Sequence, residues 1–337
     1  MKWLGTGLAS LFGLAALAST GAGCHSLGKG QLEERLAGLE KNQRTGELER
    51  TFFNADLGTG SREFELVYSY TPAREGGGEG RVPVVLVHGT PSTLFTWTEI
   101  VHGDELFEGL TANRDVYAVE VVGHGVAPGS AAPYSFERCA RFVSGAIRAL
   151  GLERVHLVGS SYGGEFVWRA ALNDPELIAS MVLIDSSGYA RREGDWLPEE
   201  EVMRSNPLAK IGWMLNSRER IHTALEPHFD VVPPDRVEEF FLVCENAANW
   251  KAMIDLARDE NGERESELTE IKAPTLVVWG ENDIAYPLEV YGERFARDIP
   301  GAQLVVMPQT GHYPHEQHPA ALLRVLRTFY SSVEGQS

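Results

Sequence analysis

Basic residues are scarce in this 337-residue chain: 30 lysines and arginines stand against 48 aspartates and glutamates, a formal charge of −18. A surface that acidic repels phosphate backbones and argues against a nucleic-acid partner. Cysteine is scarcer still, with three in all. Neither Cys139 nor Cys244 has a spacing that suits a metal site, and both read as small buried residues, their pairing left open by sequence. Internal repeats are absent, and the only low-complexity stretch is "REGGGEGR" at 74–81, a short solvated loop. No apolar run is a convincing membrane span; "WLGTGLASLFGLAALA" at 3–18 is too short and too rich in glycine. What remains is ample: hydrophobic residues make up 43% of the chain, core enough for one large α/β domain with an insertion.

Lys2 before that apolar stretch, and small residues after it, mark residues 1–23 as an export signal. Two endings compete. "ALA" at 16–18 suits an ordinary signal peptidase and a soluble product, whereas "GAGC" resembles a bacterial lipobox in which Cys24 becomes the lipidated first residue. Gly21 stands where such boxes usually carry leucine, but a lone cysteine directly after the apolar segment favours lipidation and a membrane anchor in the cell envelope. Residues 24–50 then read as a linker, with "LEERLAGLEKN" at 32–42 an exposed helical spacer.

From residue 62 strands alternate with helices. "REFELVYSY" (62–70) alternates as a half-buried strand does, while "VPVVLVHG" (82–89), "RDVYAVEVVG" (114–123), "RVHLVGS" (154–160) and "SMVLIDSS" (180–187) read as buried strands. A helix over 135–151 starts on Ser135 and stops at Gly151. Residues 188–270 break the rhythm with helical segments rich in Trp, Phe, Met and Glu. Strands resume at "APTLVVWG" (273–280) and "AQLVVMP" (302–308). The expected fold class is α/β: a mostly parallel sheet flanked by helices, built from 51–187 and 271–337, with 188–270 a helical cap over the edge where such sheets place ligands.

Gly159–Ser160–Ser161–Tyr162–Gly163 fits G-x-S-x-G between a strand and a helix. A nucleophile at the apex of a tight turn needs tiny neighbours two residues away, and Gly159 and Gly163 flank Ser161 in that way. Ser160 has Val158 and Tyr162 there, so it is a turn residue. A serine needs a base and an acid that orients the base, and in sheets of this kind they follow in the order acid, then histidine. His312 in "PQTGHYPHEQHP" is the candidate base. Asp283 in "WGENDIAYP" is the preferred acid, with Asp185 after "VLI" the alternative. His315 and His318 share no helical face with His312 and read as loop and helix-start residues rather than metal ligands. The Tyr162 and Thr90 amides are the candidate oxyanion donors, the second from "HGTP" at 88–91, whose His88 supports the loop. No cofactor or metal is needed.

With these residues in place, the chain from about 62 to 332 resembles the α/β-hydrolase superfamily. "HGTP" and the capped layout resemble its epoxide hydrolase and haloalkane dehalogenase branch. "VVGHGVAPGS" (121–130) looks like that branch's glycine-rich turn, with Glu120 and Val122 where Asp and Pro are usual. Those two groups carry aspartate at the elbow. Ser161 points instead to esterase, lipase, C–C hydrolase or perhydrolase members. The resemblance implies a serine hydrolase acting on a small-to-medium ester or related acyl compound, with a C–C hydrolase or perhydrolase as the next reading. A catalytically silent binding protein of the envelope is the alternative from another class.

Overall fold

The computed structural model describes residues 26–74, 78, 80–191, 194–196, 198–209 and 216–335. The stretch expected to be an export signal, Cys24, and the residues Trp213 and Met214 lie outside them.

Eight strands form one sheet: β1 (Glu49–Asp56), β2 (Ser61–Thr71), β3 (Val84–Val87), β4 (Val116–Val119), β5 (Val155–Ser160), β6 (Ile178–Ile184), β7 (Thr275–Gly280) and β8 (Gln303–Met307). Their spatial order is β1-β2-β4-β3-β5-β6-β7-β8. β1 and β2 make an antiparallel hairpin, and β2 runs antiparallel to β4. All other pairs are parallel. Strand order reverses beside β3, so the loops leaving the carboxyl ends of β3 and β5 part there and open a crevice.

Helices cover both faces. α1 (Lys29–Ala37), α2 (Thr98–His102) and α11 (Pro319–Glu334) pack on one side, and α3 (Phe136–Ala149), α4 (Tyr162–Asn173) and α9 (Gly292–Asp298) on the other. Side chains alternate across a strand, which divides β3 between two cores: Val85 and Val87 join the layer of Phe142 and Trp168, while Val84 and Leu86 join that of Trp97 and Leu326. Both faces being covered, β3, β5, β6 and β7 are buried along their whole length. Ser135 caps α3 by accepting from the Arg138 amide at 3.2 Å, and Gly151 follows the helix at φ 71°, a conformation that costs glycine little.

Between β6 and β7 the chain forms α5 (Pro198–Ser205), α6 (Arg218–Leu225), α7 (Pro234–Cys244) and α8 (Ala247–Asp259). This insertion has a small core of its own, in which Ile221, Leu225, Phe229, Val237, Phe240, Cys244 and Met253 are buried. A short α10 (Pro314–Gln317) follows β8.

The expected exposed spacer is not exposed. α1 carries Leu32 and Leu36 one turn apart, and both are fully buried in the sheet's second core. Ahead of it, the Ser26 hydroxyl donates to Glu245 O at 3.2 Å, the Leu27 amide donates to the same carbonyl at 3.0 Å, and Asn246 Nδ2 donates to Leu27 O at 2.6 Å. Lys29 Nζ donates to Gly125 O at 2.6 Å and to Asn249 Oδ1 at 2.5 Å. Leu32→Ala or Leu36→Ala is therefore expected to cost about 2–5 kcal/mol in urea unfolding, as for other buried leucines. A change under about 0.5 kcal/mol, usual for surface sites, would restore the spacer reading.

Among the described residues no helix is long and apolar enough to cross a membrane. Cys139 and Cys244 are buried free thiols, so the pairing that sequence left open does not occur here. Burial pushes Cys244 up to about 12, which keeps it a thiol at neutral pH.

Candidate active site

Ser161 sits between β5 and α4 with φ 55° and ψ −127°, a backbone region that costs any residue but glycine strain. Three backbone bonds hold it: its amide donates to Ile184 O at 2.9 Å, and its carbonyl accepts from the amides of Gly164 at 2.9 Å and Ser187 at 3.2 Å. The flanking glycines are demanded by space. A Cβ on Gly159 would lie 2.3 Å from Gly163 O, and one on Gly163 would lie 2.4 Å from His88 O. The start of α4 thus lies against the ends of β5 and β3, closer than any side chain permits. Ser160 closes β5 and is buried.

The loops after β7 and β8 bring Asp283 and His312 together. His312 Nδ1 donates to Asp283 Oδ2 at 2.8 Å, while Asp283 Oδ1 accepts from the amides of Ala285 at 2.8 Å and Tyr286 at 3.3 Å. With Nδ1 engaged as donor, Nε2 is left free to accept a proton. Asp185, the alternative acid, stands behind them. Its Oδ1 accepts from the Gly280 amide at 2.9 Å, and its carboxyl, that of Asp283 and the His312 ring offer atoms within 4.8 Å of one another. Full burial, then the neighbouring Asp283 charge, push Asp185 well above the usual carboxylate range, so it holds its proton. Of the two carboxyls, the one that faces the imidazole is Asp283. His315 and His318 lie apart: His315 is buried against Trp97 with Nε2 at 3.0 Å from the Thr96 hydroxyl, and His318 precedes α11.

Ser161, His312, Thr90 and Tyr162 all line one cavity of about 600 Å³. Ser161 and His312 share that space without a hydrogen bond, a separation common before substrate arrives. The HGTP loop lies directly over the serine, since a Cβ on Gly89 would fall 2.8 Å from Ser161 Cβ. The Tyr162 amide opens α4, where N–H groups lack intrahelical partners and point outward.

Histidines brace the loop. Burial lowers His88 to about 4, so its ring is neutral: Nδ1 donates to Gly89 O at 2.7 Å and Nε2 accepts from the Val121 amide at 3.3 Å. His124, brought down to about 3 by burial, donates from Nδ1 to Val122 O at 3.1 Å, which leaves Nε2 to accept from the Thr90 hydroxyl at 2.6 Å. Nothing local in the sequence points to this role for His124, because its partner lies 34 positions away.

The insertion covers the site. Phe240, Trp250 and Met253 line the cavity with Ile221, Leu225 and Cys244. Phe229 stacks instead on Tyr313 with ring centres 5.0 Å apart, Phe241 packs beneath the Arg218 guanidinium, and Trp196 beneath those of Arg191 and Arg204. His228, which sequence reading passed over, also lines the cavity, its ring 5.8 Å from that of His312. Burial and the nearby His312 lower it to about 4 and keep it neutral.

A family model described as "Alpha/beta hydrolase family" matches residues 84–325. The chain belongs to that family. Among curated relatives of this hydrolase, the uncharacterized hydrolase YugF of Bacillus subtilis is 28% identical over 258 residues, covering 74% of this chain and 90% of its own. A 2-hydroxy-6-oxononadienedioate/2-hydroxy-6-oxononatrienedioate hydrolase of Paraburkholderia phymatum is 29% identical over 290 residues, covering 80% and 92%. Among solved structures, a bacterial membrane phospholipase A superposes with a TM-score of 0.69 at 24% identity, over 96% of this chain and 98% of its own. That likeness is one of fold.

Proposed function

We propose that this hydrolase cleaves carboxylic esters through an acyl-enzyme, with Ser161 the nucleophile, His312 the proton shuttle and Asp283 the orienting acid. The observation that carries the reading is the 2.8 Å bond from His312 Nδ1 to Asp283, at the wall of a cavity onto which the strained Ser161 also opens. His312 Nε2 takes the serine proton as Oγ attacks the carbonyl. The Tyr162 and Thr90 amides receive the oxyanion, and His312 returns the proton to the leaving alcohol. Water then repeats the sequence on the acyl-enzyme. We place the protein outside the cytoplasm, anchored through Cys24.

Labelling of Ser161 by a fluorophosphonate tests the nucleophile and separates an enzyme from a silent binding protein. The cavity walls from Ile221, Leu225, Phe240 and Met253 favour an apolar acyl group. At about 0.8 kcal/mol per buried methylene, two added carbons raise kcat/KM on the order of tenfold until the roof is met. Across p-nitrophenyl esters the maximum is expected at short-to-medium chains, above acetate. A flat profile would exclude the insertion from substrate binding, and a maximum at long chains would make the enzyme a lipase.

The Paraburkholderia relative's name favours a second reading, cleavage of a carbon–carbon bond beside a ketone by the same residues. Turnover of a 2-hydroxy-6-oxo-dienoate with ester turnover negligible would select it.

A further inference from the structure

Glu260 lies just beyond α8, is 4% exposed, and is absent from the cavity wall. Its two carboxylate oxygens are divided between two tyrosines. Tyr162 Oη donates to Oε2 at 2.8 Å, and Tyr286 Oη donates to Oε1 at 2.8 Å. These tyrosines belong to opposite sides of the site. Tyr162 follows Ser161 and carries a proposed oxyanion amide. Tyr286 gives its own amide to Asp283, lines the cavity and holds its ring 5.7 Å from that of His312. One carboxylate from the insertion therefore bridges the nucleophile elbow and the acid loop.

We propose that Glu260 is a positioning residue: it holds the Tyr162 and Tyr286 hydroxyls together and thereby fixes the distance between the elbow and the His312 wall. The proposal rests on the reading of Ser161, His312 and Asp283 as the reacting groups.

A carboxylate accepts from both hydroxyls in charge-assisted bonds, one at each oxygen. A protonated acid still accepts, but without charge assistance, and its own O–H competes for a partner, so the grip on the two tyrosines weakens. The charged groups around it set where that happens. The Arg191 guanidinium stands 3.8 Å from Oε2 and favours the carboxylate, as do the Tyr162 and Tyr286 hydroxyls. Burial and the nearby Glu165 oppose it, and the buried Tyr291 phenol faces the same cluster. Burial prevails and brings Glu260 up to about 7. The bridge is complete above that pH and loosens below it.

The test compares Glu260→Gln with the wild type in ester hydrolysis from pH 5 to 9, with thermal unfolding measured alongside. A lost hydrogen bond to a charged group corresponds to a fall of about ten- to a hundredfold in kcat, with KM little changed because the misplaced donors act on the transition state. The acid limb of the profile should lose one group titrating near 7. Tyr162→Phe and Tyr286→Phe should each lower kcat in the wild type and add little when combined with Glu260→Gln. If Glu260→Gln fails to fold, those two variants, each lacking one hydroxyl, carry the same test. Wild-type kcat with an unchanged acid limb in Glu260→Gln, or tyrosine effects that add in full, would overturn the proposal. Ser161→Ala tests the underlying reading by itself: full turnover there removes the nucleophile, whereas a wild-type-like Glu260→Gln removes only the bridge.

Discussion

Ser161→Ala is expected to lower kcat/KM for esters on the order of a million-fold, while Ser160→Ala keeps most of the activity. The two hydroxyls are adjacent in sequence and differ in position. Ser160 ends a strand and is buried at its carboxyl tip, whereas Ser161 stands at the apex with φ 55° and opens on the cavity. Without Oγ no acyl-enzyme forms, and His312 and Asp283 have no proton to move. Their contribution vanishes with the serine, so the loss approaches that of removing all three together. Stopped-flow and steady-state assays on p-nitrophenyl esters measure it. A dead Ser160→Ala beside an active Ser161→Ala would shift the elbow by one residue and overturn the assignment.

Asp283→Asn is expected to cost about 10⁴-fold in kcat, and Asp185→Asn far less. An amide at 283 cannot stabilise imidazolium, and its NH₂ group facing Nδ1 would hold the ring in the tautomer that carries hydrogen on Nε2. That ring cannot accept the serine proton. At 185 the comparison is different, because the native carboxyl is neutral and an amide nearly matches its shape. The Gly280 amide keeps an oxygen to bond, and the bond between Asp283 and His312 is untouched. The ranking of kcat/KM for the two variants decides the matter, and the reverse order would move the acid to the strand that ends before Asp185.

The order of strands and the elbow were legible because each is written locally. A buried parallel strand is an apolar run, and a tight turn needs its glycines within two residues. The choice between Asp283 and Asp185 was less so. Both follow buried strands, and only the side chain facing His312 Nδ1 tells them apart. β1 was missed because the edge strand "ERTFFNAD" is half exposed and carries charge at both ends. α1 reads as a spacer because two leucines among charged residues form too narrow a stripe to announce burial, and the helix packed against it, α7, belongs to the distant insertion. Glu260 had no local signal at all. Its two hydroxyls come from 98 and 26 residues away, and only the folded chain brings them together.

A rigid body joined at two points can still turn about the line through them. The insertion meets the sheet at β6 and β7, neighbouring strands, and those two joints alone would leave it such an axis. The segment from Ser26 to Lys29 supplies a third point, on the loop after β4, three places along the sheet from β6. There Lys29 joins Gly125 to Asn249, and Ser26 and Leu27 fasten the α7–α8 corner. A third joint off the axis removes the rotation. The roof is thus triangulated: to rock open it must break the Lys29 and Asn246 bonds along with those that Thr93, Tyr134, Tyr162 and Tyr286 make to Glu239, Asp255 and Glu260.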